Sequence, residues 1–281
     1  RNKKYKILIP FGNSQRGISL LRLANGFVKK ESNQSIVTAM HLTLSNELHT
    51  FDLEEHEKKS FEPVISESVQ LNQKIVTLFK ASNDIDADIV EIANQGEYDL
   101  LLIGLGQSIF EGTLLGKVLG YTTRIINPDR LIDKFIGKEG LFENAPFDER
   151  TRQIIAKSKM PIGILVDKDL TVLDHVFMPI FSPEDAFLIE FAQKLITNSS
   201  SKISVIAAND SLKNNTTILE KIKAIEKVSP DLIALIEDHE IKKDFLAQQD
   251  IMLISLDSWK KLVNSQSIWL SNIPSMLIVK P

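Results

Sequence analysis

Short apolar runs alternate along the chain with stretches in which apolar residues recur every three or four positions. The runs have the length and β-branched content of buried strands, and the stretches between them have the period of amphipathic helices. In the first half, strands are predicted at 5–10, 35–42, 74–80, 99–104 and 161–166, with helices at 18–28, 62–72 and 85–95. The segment FGNSQRG after Pro10 is interpreted as a loop, and 43–60 as a polar connection.

The second half repeats this order. Strands are predicted at 174–181, 202–208, 231–237, 250–256 and 274–279, with helices after Ser182 and at 217–228, 239–248 and 257–264. KILIP corresponds to VFMPI, and DLLLIG corresponds to DIMLIS. Alternating strands and helices favour a parallel sheet covered on both faces. The sequence therefore predicts an α/β fold of two tandem doubly wound, five-stranded parallel sheets, with domains at 1–168 and 174–281.

The repeats differ in length at one place. Asp99 and Pro161 are 62 positions apart, whereas Asp250 and Pro274 are 24 apart. The first domain therefore carries an insert at about 115–150. One interpretation is a docking or lid element anchored by Phe135, Phe142 and Phe147. The other is a helical extension packed between the domains, with its charges solvated.

Composition excludes several classes of function. The chain has 281 residues, with 33 basic and 37 acidic side chains and a net charge of -4, which argues against a nucleic-acid partner. It has no cysteine, so disulfides, thiolate nucleophiles and thiolate metal sites are excluded. No run approaches the ~20 apolar residues of a membrane helix.

Glycine marks the candidate site. All 12 glycines lie at or before Gly163. Glycine lets the backbone approach a phosphate, and ligands of open parallel sheets bind beyond the carboxyl ends of the strands. Two loops fit: the first contributes Gly12, Asn13 and Ser14, and the second contributes Gly104, Gly106, Gly112, Gly116 and the cation Lys117. The alternative is that these glycines only form tight turns and close packing.

Histidines and aspartates suggest weaker alternatives. His49, Asp52 and His56 have the residue types of a metal site, but a solvated acidic loop explains them as well, and no metal is predicted. His41 follows an apolar run near the expected cleft, where packing is the favoured role. Asp84 and its neighbours mark a helix start. No Ser-His-Asp spacing is present, and the chain is not expected to be an enzyme.

The tandem repeat, the KILIP start and the stretch DLLLIG…G…LLGK resemble the universal stress protein family, which is Rossmann-like. This resemblance covers both halves and implies ATP or AMP binding in the first domain. The sequence departs from the family pattern at two places. Phe11-Gly12 stands where the family has an Asp, and Gly116 is followed by Lys117 where the family has Ser or Thr. In the second copy Ser255 replaces glycine, so nucleotide binding is not expected there.

The string EGTLLGKVLGYTTRIINPDRLIDKFIGKEGLFENAPFDERTRQII resembles the cytoplasmic C-terminal region of sodium/proton, or monovalent cation:proton, antiporters. The resemblance implies a regulatory module on the cytoplasmic face of the cell membrane, attached to a transmembrane antiporter domain upstream of Arg1, and a homodimer. The alternative is a stand-alone ATP- or AMP-binding universal stress protein. A nucleotide hydrolase with a Ser-Gly-Gly-x-Asp-Ser loop fits poorly, because FGNSQRG lacks that Asp.

Overall fold

A computed structural model describes residues 3–45, 53–105, 149–207, 209–237, 243–264 and 274–281. These residues form two compact units: Arg1–Leu105 with Glu149–Leu165, and Val166–Lys280. The predicted domain boundaries, 1–168 and 174–281, stay a prediction, as does the division into two separate sheets. Across the described ranges, no helix has the length and apolar character needed to cross a bilayer.

The first unit holds five strands in the spatial order β3-β2-β1-β4-β5. The pairs β1–β2, β1–β4 and β2–β3 are parallel. In chain order its elements are β1 (Tyr5–Phe11), α1 (Ser14–Val28), a 3-10 helix (Lys29–Gln34), β2 (Ser35–Leu44), α2 (Leu53–Gln70), β3 (Ile75–Ser82), α3 (Ile85–Gln95), β4 (Leu100–Leu105), α4 (Glu149–Lys157) and β5 (Ile162–Val166).

The second unit repeats the arrangement with the order β10-β9-β6-β7-β8. The pairs β10–β9, β6–β7, β6–β9 and β7–β8 are parallel. Its elements are β6 (His175–Ile180), a 3-10 helix (Pro183–Phe187), α5 (Leu188–Ser199), β7 (Lys202–Ala207), α6 (Asp210–Lys213), α7 (Thr216–Val228), β8 (Ile233–Ile236), α8 (Lys243–Ala247), β9 (Ile251–Ser255), α9 (Leu256–Asn264) and β10 (Ser275–Lys280).

The predicted strands are confirmed. The central strands are apolar on both faces, because parallel strands between two layers of helices are buried on both sides. Every residue of β5 is buried, and so are five of the six residues of β4. The edge strand β3 is mostly half-buried or exposed, which suits a strand with one neighbour.

Two connections differ from the prediction. Helix α1 begins at Ser14 rather than after Gly17, because the Asn13 side chain caps it there. Gly17 is therefore a buried residue within the helix. The polar segment 43–60 contains the end of β2 and, from Leu53, the first turns of α2. The predicted helix start at Asp84 is confirmed: its carboxylate accepts from the backbone N–H of Ala87 at 3.3 Å.

The amino ends of the strands match in atomic detail between the two units. Asp99 accepts from the backbone N–H of Lys6 at 2.9 Å and donates its own N–H to the Lys6 carbonyl at 2.8 Å. Asp250 makes the same pair of bonds with His175, at 2.7 and 2.8 Å. The predicted repeat therefore holds for side chains as well as for element order.

Candidate functional site at the carboxyl ends of the strands

Strands β1 and β4 are neighbours at the centre of the first unit. Ile7 pairs with Leu100, and Leu8 pairs with Leu101. Gly12 follows the last residue of β1, and Gly104 lies one residue before the end of β4. Since parallel strands end at the same edge of a sheet, the two predicted glycines come to the edge at which open α/β sheets bind ligands.

The Asn13 side chain caps helix α1, and the Ser14 side chain bonds to helix α2. Asn13 Oδ1 accepts from the backbone N–H of Gln15 at 2.8 Å, and the Ser14 hydroxyl donates to the carbonyl of Ser60 at 3.5 Å. These two residues therefore offer a ligand mainly their backbone. The N–H groups of a first helical turn lack partners within the helix and carry partial positive charge, which favours an anion.

Gly12 and Gly104 are not explained by packing among the described residues. A Cβ on Gly12 would lie 3.9 Å from the Leu42 carbonyl oxygen, and one on Gly104 would lie 3.8 Å from Arg16 Cβ. Both are ordinary contacts, and neither glycine has the positive φ that other residues avoid. A side chain at either position would therefore make only ordinary van der Waals contacts with the described residues.

At Gly17 and Gly96, by contrast, close packing requires a glycine. A Cβ on Gly17 would approach Phe11 Cγ and a methyl group of Val64 to 2.9 Å each. One on Gly96 would collide with the Tyr98 ring. These two glycines serve close packing, which was the alternative offered for the glycine pattern as a whole.

Sequence reasoning missed Arg16. This exposed residue lies in the first turn of α1, with its Cβ beside the Gly104 position. Its guanidinium has no ion-pair partner among the residues that the structure describes. The site thus combines a helix N-terminus, two glycines that packing does not require and an arginine in the first turn of the helix. The missed signal was the alignment of the two halves, which places Arg16 opposite Asp185.

The remaining site residues, Gly106, Gly112, Gly116 and Lys117, lie outside the described residues. The same is true of the insert from 115 to 148, including its three phenylalanines, and of His49 and Asp52. Their predicted roles stay predictions.

A chain of hydrogen bonds links His41 to His56 beside this edge. His41 Nδ1 lies 3.2 Å from the Phe11 carbonyl oxygen, so it carries the proton. The Thr43 hydroxyl lies 3.0 Å from His41 Nε2 and 3.0 Å from His56 Nε2, and therefore donates to the first and accepts from the second. The described ranges contain no group of three or more side chains suited to hold a metal.

His41 is 5% exposed, with the rings of Phe11, Phe61 and Phe79 around it. Burial lowers the pKa of His41, the nearby His56 lowers it further, and the bond to Phe11 opposes both. Among the described groups, His56 is the titratable side chain that acts on it. The neutral form of His41 is therefore stabilised by its surroundings.

The second unit fills the corresponding place with its own carboxylate. Asp185 is 2% exposed. Its Oδ2 accepts from the backbone N–H groups of Phe181 and Ser182 at 2.9 and 3.3 Å, and from the Ser258 hydroxyl at 2.5 Å. Its Oδ1 accepts from the hydroxyl of Ser255, the residue that replaces Gly104, at 2.6 Å. A buried anion and a serine thus stand where the first unit has an exposed arginine and a glycine.

No protein-family model matches the chain, and no curated protein matches its sequence. Solved structures do match its fold. The cytoplasmic domain of a prokaryotic cation chloride cotransporter is 12% identical, with a TM-score of 0.56, over 98% of this chain and 95% of that one. A universal stress protein from Archaeoglobus fulgidus DSM 4304 is 13% identical, with a TM-score of 0.52, over 98% and 96%.

A functionally unknown protein from Pseudomonas aeruginosa PAO1 is 14% identical, with a TM-score of 0.51, over 99% of this chain and 93% of that one. At such identities the likeness concerns the fold alone. The chain therefore has a Rossmann-like α/β fold with a parallel sheet, similar to that of universal stress proteins, and the predicted fold class is confirmed.

Proposed function

We propose that the chain is a ligand-sensing regulatory module of a membrane cation/proton antiporter, and that its first unit binds an adenine nucleotide without turning it over. The observation that carries the proposal is that neither packing nor backbone conformation among the described residues requires glycine at Gly12 or Gly104, beside the start of α1 and Arg16. A phosphate group fits this edge, because the backbone can approach it closely and an arginine can pair with it. ATP and AMP are the expected ligands.

The regulatory part of the proposal is supported by the likeness to a transporter's cytoplasmic domain, which extends over 98% of this chain. By analogy, we expect the module to act from the cytoplasmic face of the cell membrane, as a homodimer, on a transmembrane antiporter domain encoded before Arg1. The described residues then serve as the receiver of the signal, and the membrane domain as its target.

Isothermal titration calorimetry with ATP and AMP tests the nucleotide site. In Gly104→Val, a branched side chain would lie where a bound phosphate is expected to approach the strand. We expect the affinity to fall by about tenfold or more, a difference of about 1.4 kcal/mol, because the phosphate can no longer approach the strand. Phosphate release from ATP should stay at background in the wild type and the variant.

The matched control is Ala234→Val, which adds a similar side chain to an exposed position of β8. This variant should bind nucleotide as the wild type does. Equal affinity of Gly104→Val and wild type, or no binding of either nucleotide at millimolar concentration, contradicts the nucleotide site.

The antiporter link is tested separately. The reading frame before Arg1 should encode several segments of about 20 apolar residues. Deleting the module from that protein should change cation/proton exchange in membrane vesicles. If the upstream frame encodes no such segment, the second candidate takes its place: a stand-alone nucleotide-binding universal stress protein, which the likeness to the Archaeoglobus protein favours.

A further inference from the structure

Strands β3 and β8 are end strands of their units. Among the described residues, β3 pairs only with β2, and β8 pairs only with β7. Both registers run without interruption, so neither strand carries a bulge. An end strand leaves the N–H and C=O groups of its open side without a partner in the sheet, and proteins commonly protect such edges with charges, prolines or bulges.

Both of these edges lack that protection along their middle. The run 75–79 reads IVTLF and the run 232–236 reads LIALI, and neither contains a charged residue or a proline. Val76 is 52% exposed, and Ala234 is exposed as well. A regular, exposed and apolar edge is a template for pairing with another strand. Each edge therefore suits a further strand as its partner.

Charged residues stand at both ends of each run, and their sign differs between the two units. Lys74 and Lys80 flank the run in β3 and are six positions apart. Asp231 and Glu237 flank the run in β8 and are also six positions apart. Lys80 is half-buried, and the other three residues are exposed. The equal spacing lets the two runs align over their whole length.

Most of these charges are available for a partner outside the chain. Lys74, Lys80 and Asp231 have no ion-pair partner among the residues that the structure describes. Glu237 Oε2 accepts from Lys213 Nζ at 2.7 Å, and 56% of the Glu237 side chain is exposed. The complementarity between the edges is therefore clearest for Lys80 and Asp231.

The charges decide which edges can pair with each other. In an antiparallel pair of two β3 strands, Lys74 would stand opposite Lys80. In a pair of two β8 strands, Asp231 would stand opposite Glu237. Like charges directly opposite each other destabilise a pair of strands. An antiparallel pair of one β3 and one β8 strand instead brings Lys80 opposite Asp231 and Lys74 opposite Glu237, which is favourable at both ends.

We propose that β3 of one copy pairs antiparallel with β8 of a second copy of this chain, through backbone hydrogen bonds along the apolar runs and ion pairs at their ends. The contact joins unlike surfaces, so each pair of copies keeps one unused β3 and one unused β8, and further copies add to form rings or open filaments. It is separate from the two-fold contact of the proposed homodimer, and it does not depend on the nucleotide site.

Sedimentation equilibrium of the full chain without nucleotide tests the contact. The weight-average mass should rise with protein concentration beyond that of two copies, and it should fall in high salt, which screens exposed charges. Lys80→Glu and Asp231→Lys each place like charges opposite each other, and each should weaken association by about tenfold. Lys4→Glu, at an exposed position before β1, is the matched control and should associate as the wild type does.

Exchange of the charges separates the contact from an effect on folding. In an equimolar mixture of Lys80→Glu and Asp231→Lys, every contact between the two variants again has opposite charges at this end. The mixture should therefore associate as the wild type does, and so should the double variant. Val76→Lys places a charge in the middle of the β3 edge and should abolish association, with circular dichroism as the check on folding.

Three results overturn the proposal. The first is a wild-type mass that stays at one or two copies at every concentration. The second is association of Lys80→Glu, Asp231→Lys or Val76→Lys that equals that of the wild type. The third is a mixture of the two charge variants that associates no better than its components. Titration of ATP with the same protein reports on the nucleotide site separately, so either proposal can fail without the other.

Discussion

The two units are alike at the amino ends of their strands and opposite in charge at the carboxyl ends. Asp99 and Asp250 make the same backbone bonds in the two copies. At the other edge, the first unit has Gly104 beside an exposed Arg16, whereas the second has Ser255 bonded to the buried Asp185. The two units therefore share the contacts at the amino ends of their strands and differ in the groups at the carboxyl ends.

The carboxyl edges of the two units suit different sources of an anion. The Asp185 carboxylate receives four hydrogen bonds, two from backbone N–H groups and two from serine hydroxyls, as a bound anion would. The second unit thus supplies its own anion. The first unit offers a positive helix end and a cation at the same place and supplies none, which favours an anion from solution.

The largest expected effect comes from removing the internal anion. Asp185→Ala leaves buried hydroxyl and N–H donors without their acceptor. We expect the free energy of unfolding of the second unit to fall by about 3 kcal/mol or more. Both tryptophans follow Val166 in the sequence, and Trp259 is fully buried in the second unit, so tryptophan fluorescence during urea unfolding reports on that unit. The exposed Asp174→Ala is the control, and equal midpoints for the two variants would contradict the assigned role.

The next largest effect is expected when the carboxyl edge of the first unit is given the residues of the second unit. The double variant Arg16→Asp with Gly104→Ser installs the carboxylate and hydroxyl found at 185 and 255. Since an internal anion then repels and replaces the ligand, we expect ATP affinity to fall by about 100-fold, or about 2.7 kcal/mol. Titration calorimetry measures this, with circular dichroism as the check on folding. Unchanged affinity would show that the charge difference between the units has no bearing on ligands.

A smaller effect separates the two kinds of glycine. Gly17→Ala forces a methyl group against Phe11 and Val64, and we expect it to lower the free energy of unfolding of the first unit by about 1–3 kcal/mol. Gly12→Ala meets no close atom and should stay within about 0.5 kcal/mol of the wild type. Circular dichroism during urea unfolding measures both. A Gly12→Ala chain as unstable as Gly17→Ala would mean that both glycines serve packing.

The smallest effect is a pH dependence confined to the first unit. The folded chain lowers the pKa of His41 below its usual 6.5, so the unfolded chain binds the proton more readily. The stability that neutral His41 contributes is complete above pH 6.5 and is lost as the pH falls through the lower folded value. Stability of the first unit should therefore decrease on acidification.

Hydrogen exchange of peptides from β1 and β2 measures this effect. His41→Gln keeps a polar side chain at the position but does not titrate there. Comparing it with the wild type at equal pH, near 7.5 and near 5.5, removes the intrinsic pH dependence of exchange. The variant should lose less protection on acidification, and an identical loss would exclude His41 as the source.

Most of the fold could be predicted from local patterns. Strands and helices follow from the periods of apolar residues, and the repeat follows from comparing KILIP with VFMPI. The errors arose where one local signal outweighed another. Gly17 suggested a loop, but Asn13 caps a helix that buries Gly17 against Phe11. The acidic segment before His56 suggested a connection, but α2 begins within it.

The site could be predicted only in part, because its contacts are long-range. Gly12 and Gly104 were found from composition and from the rule for parallel sheets. The bond from Ser255 to Asp185 spans 70 positions, and no periodic pattern announces it. The link from His41 through Thr43 to His56 also depends on how a helix packs over a strand. Arg16 was visible only after the two halves were aligned residue by residue.

The Asp185 carboxylate, which occupies the carboxyl edge of the second unit, affects how the chain would respond to ligand concentration. Two open copies of one site would let occupancy of the first change the affinity of the second, and the saturation curve could be steep. In the proposed nucleotide sensor, the second copy is permanently satisfied, so within one chain the occupancy of the first unit would follow a simple hyperbola. A single chain of the proposed sensor would therefore report a metabolite level in a graded way, and a sharp threshold would have to come from the second chain of the proposed homodimer.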